Sequence, residues 1–269
     1  MTLPRVLVLR MAGANCDLET AHAFRLAGAE VERVHVRAFL DGKRRLSEFG
    51  ALAIPGGFSY GDDLGAGTVL ANQLHTKLGG PLAEFVGAGK LVIGICNGFQ
   101  VLVRLGILPG LDAGGERVAS LIENESGRFE DRWVRLRVET DRTPFLRKGT
   151  VLELPVAHKE GRFVLKSPRD LDGLERNGQI ALRYLEPDGD RVASGFPANP
   201  NGTTSAIAGV INREGNVLGL MPHPERHLSA LAHPSWTRRA ALEGLPAAPE
   251  RAGDGYAVFE SAVNHLRGA

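Results

Sequence analysis

A cysteine at the junction of a predicted strand and a predicted helix constrains this chain more than any other feature. The apolar run 91–95 reads as a buried strand, and a helical pattern follows Cys96 directly. Gly94 stands two residues before the cysteine and Gly98 two residues after it. A strand that turns sharply into a helix tolerates only small residues at those two positions. The spacing predicts a nucleophile elbow, with the sulfur facing a pocket above the sheet edge.

The helix predicted over 98–105 adds an electrostatic argument for a reactive sulfur at Cys96. Its first amides have no intrahelical acceptors, so they carry partial positive charge at the end nearest the cysteine. Such charge favours a thiolate and can bind a nearby oxyanion. The elbow therefore predicts chemistry in which a thiolate attacks a carbonyl carbon.

A base and a carboxylate for this cysteine are found in Met-Pro-His-Pro-Glu-Arg (221–226), which follows the apolar stretch 217–221. Residues two apart in an extended segment point to the same side, so His223 and Glu225 can both face Cys96. An imidazolium can lower the thiol pKa by several units from about 8.5, and a carboxylate fixes the imidazole tautomer. The pattern predicts a triad of Cys96, His223 and Glu225.

Each triad residue also has a structural interpretation when taken singly. A cysteine ending a buried strand is often a small core residue, and a histidine between prolines is often a loop residue. The combination of a glycine-flanked cysteine with a distant histidine and carboxylate is far more specific. For Cys16, a packed or loop thiol is the favoured interpretation, and a second reactive sulfur is the alternative.

The chain resembles the class I, triad-type glutamine amidotransferases, whose nucleophile motif Gly-x-Cys-x-Gly occupies 94–98 here. Within that class it is most similar to the glutaminase subunit family of phosphoribosylformylglycinamidine synthase. The resemblance rests on segments spread over almost the whole chain: Pro-Gly-Gly-Phe-Ser-Tyr-Gly-Asp (55–62), Gly-Ile-Cys-Asn-Gly-Phe-Gln (94–100), Asn-Glu-Ser-Gly-Arg-Phe (124–129), Pro-Ala-Asn-Pro-Asn-Gly (197–202) and Met-Pro-His-Pro-Glu-Arg (221–226).

The resemblance implies roles for the matching positions. Cys96 would be the nucleophile, His223 the general base and acid, and Glu225 the residue that orients the histidine. The backbone amides of Gly57 and Asn97 would form the oxyanion hole. Family members hydrolyse glutamine and pass the ammonia to a separate ATP-using synthetase subunit, which amidates formylglycinamide ribonucleotide in purine synthesis.

The resemblance also implies a glutamine pocket lined by Gln100, one turn after the nucleophile, and by His158 and Glu160 in the stretch 157–161. It implies partners as well: glutamine, the synthetase subunit, and a small third subunit in some assemblies. ATP and Mg²⁺ are expected on the synthetase rather than on this chain.

Two departures from the family pattern leave the triad residues untouched. Ala12 stands where many members have Pro, and Asp63 and Gly65 stand where they have Tyr and Arg. The second departure lies just beyond the predicted oxyanion loop. It therefore bears on how that loop is held, or on the form of partner that it meets.

Composition excludes several other classes of function. The 269 residues carry 32 basic and 31 acidic side chains, a net charge of +1, which gives no footprint for nucleic acid or an anionic membrane. The apolar run 6–9 is too short for a signal peptide, and no segment approaches a membrane span. The chain has two cysteines, which suits a reducing compartment, so a cytoplasmic protein is expected.

Cofactor motifs are weak in this sequence. The glycine-rich stretches 56–61 and 65–67 lack the Gly-Lys-Ser/Thr of a phosphate loop and the dinucleotide spacing, so ATP is not expected to bind here. His223 and His227 are four residues apart, but Pro224 between them opposes a metal-binding helix and no cysteine pair supplies further ligands. No resident metal is expected.

Strand and helix patterns alternate in the first part of the chain, which predicts a mostly parallel sheet covered by helices. Ligands of such sheets bind beyond the carboxyl ends of the strands, where Cys96 and the loop 55–57 fall. The resemblance implies the flavodoxin-like fold of the class I amidotransferases. The predicted strands are 5–10, 31–36, 51–54 and 91–95, and the predicted helices are 17–27, with Leu18, Ala21 and Phe24 on one side, 69–78, 82–88 and 98–105.

From 117 to 211 the pattern changes to short β-rich stretches separated by turns, such as 133–138, 163–165 and 180–184, which predicts an antiparallel extension. Residues 217–221 return to the main sheet, and apolar residues over 259–266 have the spacing of a last helix. A mobile loop is expected over 245–254. With no internal repeat, the whole chain 1–269 is predicted to be one domain.

Three hypotheses about function remain open at the level of sequence. The leading one is glutamine hydrolysis through a γ-glutamyl thioester with delivery of ammonia to the synthetase. The second is a cysteine-elbow peptidase or other amidohydrolase, which would need neither Gln100 nor a Glu two residues after the His. The third is a catalytically silent, amidotransferase-like binding subunit, which loss of a triad residue would mark.

Overall fold

The computed structural model describes residues 2–243 and 251–268. The strands in this part of the chain are β1 (Arg5–Arg10), β2 (Glu30–His35), β3 (Ala51–Ile54), β4 (Leu91–Ile95), β5 (Ala119–Ile122), β6 (Glu130–Val138), β7 (Val151–His158), β8 (Arg162–Leu165), β9 (Ile180–Leu185), β10 (Ile207–Ile211) and β11 (Val217–Leu220). The helices are α1 (Asp17–Leu26), α2 (Val36–Leu40), α3 (Thr68–Gly87), α4 (Asn97–Arg104), α5 (Pro168–Arg176), α6 (Trp236–Glu243) and α7 (Tyr256–Gly268).

Five strands form the parallel half of the main sheet, in the order β2-β1-β3-β4-β11. This is the strand order of the flavodoxin-like doubly wound fold. The predicted α/β class is therefore confirmed, and β1, β3 and β4 have the predicted bounds. Every residue of β3 and β4 is buried, which explains why these strands are continuous apolar runs rather than alternating ones.

The antiparallel strands continue the same sheet rather than forming a separate layer. β10 pairs antiparallel with β11, and β9, β6 and β7 follow outward, which gives nine strands within the described residues. The predicted antiparallel extension is confirmed, with β5 and β8 forming a separate pair. Helix α5 was not predicted in this β-rich region. It is short and mostly polar, but Leu171 and Leu174 lie one turn apart and both pack on the core, so a helical spacing was present in the sequence.

Helix α1 packs against α7 through Phe24 and Phe259, whose ring centroids are 4.9 Å apart. The predicted inner side of α1 is correct for Ala21 and Phe24 but wrong for Leu18, which is 59% exposed. Asp17 is buried on this helix instead, because Arg10 and Arg33 neutralise its carboxylate. Two ion pairs with residues of β1 and β2 thus bury a charged side chain where the apolar pattern predicted Leu18.

Helix α3 is one continuous helix where the sequence predicted two, over 69–78 and 82–88. Pro81 lies inside it and removes one backbone hydrogen bond. The apolar stripe nevertheless runs unbroken through this point, with buried residues Leu70, Ala71, Leu74, Leu78, Leu82 and Phe85 at helical spacing. Burial of that stripe explains why the helix continues past the proline.

The last predicted helix lies in α7, where Phe259, Ala262 and Val263 are buried. Across residues 2–243 and 251–268, none of the helices combines the length and apolarity needed to cross a bilayer. The predicted loop 245–254 falls mostly outside the described residues. At its end, Ala252 forms a β-bridge with Ser229.

Candidate active site

Four loops meet at the carboxyl ends of neighbouring parallel strands. Cys16 follows β1, Gly57 follows β3, Cys96 follows β4 and His223 follows β11. These strands are adjacent in the order β1-β3-β4-β11, so their loops gather at one edge of the sheet. The sheet thereby brings together groups that are far apart in the chain.

The backbone turns sharply at Cys96, which has a φ of 50° and a ψ of −103° and precedes the first residue of α4. Non-glycine residues rarely adopt this conformation, and it is held here partly by a 2.8 Å bond from the Cys96 amide to Leu220 O. A Cβ on Gly94 would lie 2.6 Å from Gly98 O, and one on Gly98 would lie 1.9 Å from Ile54 O. Close backbone contacts thus account for both glycines.

His223 and Glu225 form a buried pair in which Nδ1 lies 2.6 Å from Oε1. Their relative position differs from the extended arrangement that the sequence predicted. His223 is extended, but Pro224 starts a single 3-10 turn, Pro224–Arg226, that carries the carboxylate. Burial alone would lower the pKa of His223. The Glu225 carboxylate and the Cys96 sulfur outweigh burial and hold that pKa well above its usual value.

The Cys96 sulfur lies close enough to the His223 ring to raise the pKa of that imidazole. Yet Nε2 of His223 hydrogen-bonds with no atom of the described residues, and the Cys96 sulfur lies 3.7 Å from the carbonyl oxygen of Ala157. Catalytic hydrogen bonds are often loose before substrate binds. The structure therefore gathers the predicted triad residues in one buried cluster, 5% exposed at Cys96 and 1% at His223.

The loop bearing Gly57 packs tightly on the loop after β1. Gly57 has a φ of 139°, and a Cβ there would lie 2.7 Å from Gly13 O. It forms a β-bridge with Ala14 that uses the amide of Phe58 and the carbonyl of Gly56. The Gly57 amide takes no part in those two bonds. The other predicted donor, Asn97, lies in the first turn of α4, where amides have no intrahelical acceptor.

The Asn97 side chain ties the Gly57 loop to the elbow, a role that the sequence analysis missed. Its Oδ1 accepts a bond from the Ser59 amide at 3.2 Å, and its Nδ2 donates to Asp62 Oδ1 at 3.1 Å. Asp62 also accepts from the Gly67 amide, and burial raises the pKa of its carboxyl. The position of Asp62 within the motif 55–62 is the signal that could have identified it.

Gln100 and Glu160, predicted to line the glutamine pocket, bond to their neighbours. Gln100 Nε2 donates to the carbonyl oxygen of Glu160 at 2.7 Å, and its Oε1 accepts from Asn97 at 2.9 Å. The Glu160 carboxylate accepts from the amide of Ala66 at 3.1 Å and lies 3.9 Å from Arg104. These contacts join the elbow, the loop after Asp62 and the loop after β7. A role in binding glutamine stays a prediction for both residues.

His158, the third predicted pocket residue, ends β7 and is 3% exposed. Neither ring nitrogen has a hydrogen-bond partner in the described part of the chain. Burial, reinforced by His223 nearby, lowers the pKa of His158 to about 3. Its ring packs under Gly161, where a Cβ would lie 2.3 Å from Cε1. The imidazole is therefore neutral at physiological pH.

The departures from the family pattern fall in a turn built by glycines. Gly65 has a φ of 95°, a backbone region that disfavours residues with a side chain. Its amide bonds to Asp62 O at 2.8 Å, and Asp63 packs beside Gly61. Ala12 supports the same loop, because its carbonyl accepts from the Tyr60 amide at 2.9 Å. The chain thus holds this loop by backbone bonds.

Cys16 is buried, in agreement with a packed thiol, but it packs against the candidate site itself. Its sulfur lies 4.0 Å from Nδ1 of His223 and 3.1 Å from Nη2 of Arg226. One ligand atom from each of Cys16, His223 and Glu225 lies within 4.8 Å of the others, a spacing that a metal ion would need. The guanidinium of Arg226 already places a cation against the Cys16 sulfur. This arrangement favours a hydrogen-bonded cluster over a metal site. His227 points elsewhere, with Nδ1 2.7 Å from Glu153 O.

Comparisons with known proteins show which family this chain belongs to. Residues 3–266 match the family of CobB/CobQ-like glutamine amidotransferase domains. The chain is 46% identical over 268 residues to the phosphoribosylformylglycinamidine synthase subunit PurQ of Dehalococcoides mccartyi, covering 99% of each chain. It matches the structure of PurLQS from Thermotoga maritima with a TM-score of 0.73 and 34% identity, covering 98% of this chain and 100% of that one. A glutamine amidotransferase from Thermotoga maritima matches at a TM-score of 0.54 and 16% identity, covering 100% of each chain, which supports the fold alone.

Proposed function

The chain belongs to the family of the phosphoribosylformylglycinamidine synthase subunit PurQ, and on that basis we propose that it hydrolyses glutamine and supplies the ammonia to a synthetase subunit. The synthetase uses this ammonia to convert formylglycinamide ribonucleotide to formylglycinamidine ribonucleotide in purine biosynthesis. The observation that carries the chemistry is the buried His223–Glu225 pair beside the thiol of Cys96.

In the proposed first half-reaction, the Cys96 thiolate attacks the side-chain amide carbon of glutamine. The negative charge that develops on the carbonyl oxygen is stabilised by the amides of Gly57 and Asn97. His223, protonated in the resting site, donates its proton to the leaving nitrogen. Ammonia departs as the carbon–nitrogen bond breaks, and a γ-glutamyl thioester remains on Cys96. The raised pKa of His223 supports this resting ion pair.

In the second half-reaction, neutral His223 accepts a proton from water while the water oxygen attacks the thioester carbon. The carbon–sulfur bond breaks, the Cys96 thiolate is restored beside an imidazolium, and the product carboxyl releases its proton to solvent as glutamate. Glu225 keeps its hydrogen bond to Nδ1 throughout and stabilises the charged ring. The residues Gln100, His158 and Glu160 are assigned to the walls of the glutamine pocket.

The proposal includes the assembly and its location. The match to PurLQS supports a complex of this chain with the synthetase subunit and a small third subunit. ATP and Mg²⁺ are assigned to the synthetase, so this chain requires no cofactor for amide hydrolysis. A cytoplasmic location is proposed because Cys16 and Cys96 are both free thiols, as in a reducing compartment.

Reconstitution with the synthetase subunits tests the proposal. Synthesis of formylglycinamidine ribonucleotide is measured with glutamine or with ammonium chloride as nitrogen donor, for the unmodified chain and for Cys96→Ala. We expect Cys96→Ala to abolish glutamine-dependent synthesis and to leave ammonium-dependent synthesis intact, because only the ammonia source is lost. Glutaminase activity retained by Cys96→Ala would overturn the proposal. Cleavage of unrelated peptides by the chain, without glutaminase activity, would favour the peptidase alternative.

A further inference from the structure

A second buried thiol lies behind the imidazole of the proposed triad. Cys16 is 1% exposed, and its sulfur is 4.0 Å from Nδ1 of His223. On another side of the ring, a Cβ on Gly56 would lie only 2.7 Å from Cε1 of His223 and 3.3 Å from the Cys16 sulfur. The Cys16 amide also bonds to Gly56 O at 3.3 Å. The ring of His223 is thus enclosed by Gly56, Cys16 and Glu225.

The sulfur of Cys16 has hydrogen-bond partners on two sides. Arg226 Nη2 donates to Sγ at 3.1 Å, and Sγ can donate its own hydrogen to Oδ1 of Asn15 at 3.2 Å. Cys16 therefore contacts both the guanidinium of Arg226 and the back of the His223 imidazole, two groups on the loop after β11. A side chain without an acceptor at position 16 would remove the bond that anchors Arg226.

The guanidinium of Arg226, held by Cys16, is a positive charge next to the proposed triad. Burial alone would lower the pKa of Arg226, but the Cys16 sulfur and the Glu225 carboxylate outweigh it and raise that pKa. The groups that face His223 are Glu225, Cys96, Cys16 and the neutral His158. Arg226 therefore adds a positive charge to the cluster that contains Glu225 and Cys16.

From this geometry we propose that Cys16 is a positioning residue for His223. Its sulfur anchors Arg226 and closes the back of the ring, so that His223 keeps its bond to Glu225 and its charge beside Cys96. The inference rests on the proposed function and deepens it, because it adds a second thiol and a guanidinium to the machinery that activates the nucleophile. Cys16 itself forms no covalent bond with the substrate.

The rate of Cys96 alkylation by iodoacetamide, measured against pH, tests this role without glutamine. Mass spectrometry locates the adduct, and Cys16→Ala leaves Cys96 as the one cysteine in the chain. We expect alkylation of Cys96 to start at a higher pH in Cys16→Ala than in the unmodified protein. The reason is that the imidazolium that stabilises the thiolate is less well held. We also expect kcat for glutamine hydrolysis to fall about tenfold, equal to ~1.4 kcal/mol, with KM changed less than about twofold.

Two variants separate positioning from packing. Cys16→Ser keeps a hydrogen-bond acceptor for Arg226, on a shorter bond to Cβ. The pH at which alkylation of Cys96 starts should therefore lie between the values for the unmodified protein and Cys16→Ala. Thr20→Val is the matched control in helix α1, which begins directly after Cys16, since the Thr20 hydroxyl donates to the Cys16 carbonyl oxygen at 2.7 Å. It should lower thermal stability and leave the alkylation profile unchanged.

An alkylation profile of Cys16→Ala that coincides with that of the unmodified protein would overturn the proposal, whatever happens to stability. Should Cys16→Ala fail to fold, the same outcome in Cys16→Ser overturns it. The alkylation readout also separates this inference from the proposed function. A shifted profile in a chain that does not hydrolyse glutamine would support the positioning role and refute the glutaminase assignment.

Discussion

Nδ1 of His223 lies 2.6 Å from Oε1 of Glu225, and the two side chains are 2% and 0% exposed. A charge-assisted hydrogen bond is strongest in such a water-excluded setting, and a buried carboxylate is costly without a partner. Glu225 therefore stabilises the protonated form of His223. The bond also fixes which ring nitrogen carries the proton that faces Glu225, and leaves Nε2 for proton transfer.

Glu225→Gln tests this relationship. The amide is nearly isosteric but carries no charge, so we expect kcat for glutamine hydrolysis to fall by up to about ten-thousandfold with a small change in KM. Steady-state kinetics with the reconstituted complex measure the effect. Glu175→Gln is the control, because that carboxylate pairs with Arg183 on an exposed surface and should leave kcat unchanged. An unchanged rate in Glu225→Gln would remove this residue from the site.

Asp62 should control how firmly the Gly57 loop is held. Its Oδ1 accepts from both the Gly67 amide and Asn97, so Asp62→Ala releases two bonds at once. We expect kcat to fall by up to about a hundredfold to a thousandfold, the cost of one misplaced oxyanion donor. Asp62→Asn keeps one acceptor oxygen and tolerates the φ of 54°, so its loss should be much smaller. Equal kinetics for the two variants would contradict this account.

Two glycine substitutions should change stability in opposite directions. A Cβ on Gly98 would lie 1.9 Å from Ile54 O, a backbone atom that cannot move aside cheaply. Gly98→Ala should lower the free energy of unfolding by about 3 kcal/mol or more. Gly79 lies inside α3 with nothing within 4 Å of its Cβ position, so Gly79→Ala should raise that free energy by about 0.5–1 kcal/mol.

Denaturant unfolding of the two glycine variants at neutral pH measures both changes. A Gly98→Ala protein as stable as the unmodified chain would show that the elbow does not need this close contact.

His158 should make stability depend on pH. Unfolded, its imidazole takes up a proton near the ordinary pKa of 6.5, whereas in the folded protein the pKa is about 3. The unfolded state binds more protons between these values, so this contribution is present above pH 6.5 and is lost as the pH falls. Between pH 7 and pH 5 the loss should be about 2 kcal/mol.

His158→Phe keeps a ring and removes the titration. Between pH 7 and pH 5, its free energy of unfolding should therefore fall by about 2 kcal/mol less than that of the unmodified protein. Urea unfolding of both proteins at pH 7 and pH 5 gives the comparison. Parallel pH dependence of the two proteins would mean that His158 is not held neutral by burial.

The sequence predicted the elements whose cause is local. The apolar runs of β1, β3 and β4 and the glycines around Cys96 obey steric and burial rules that act within a few residues. The break predicted in α3 shows the limit of such rules. The helix continues past Pro81 because the rest of the fold buries the apolar stripe on both sides of the proline.

The tertiary structure decided which distant groups meet. Sequence supplied Cys96, His223 and Glu225 as a pattern of residue types in the order expected for a triad, but no local rule placed Cys16 behind His223, 207 residues away in the chain. Nor could spacing show that Asp62, Asn97 and Gln100 form one hydrogen-bonded network. Strand order fixes these meetings, because it is the pairing of β1, β3, β4 and β11 in one sheet that carries their loops to a common edge.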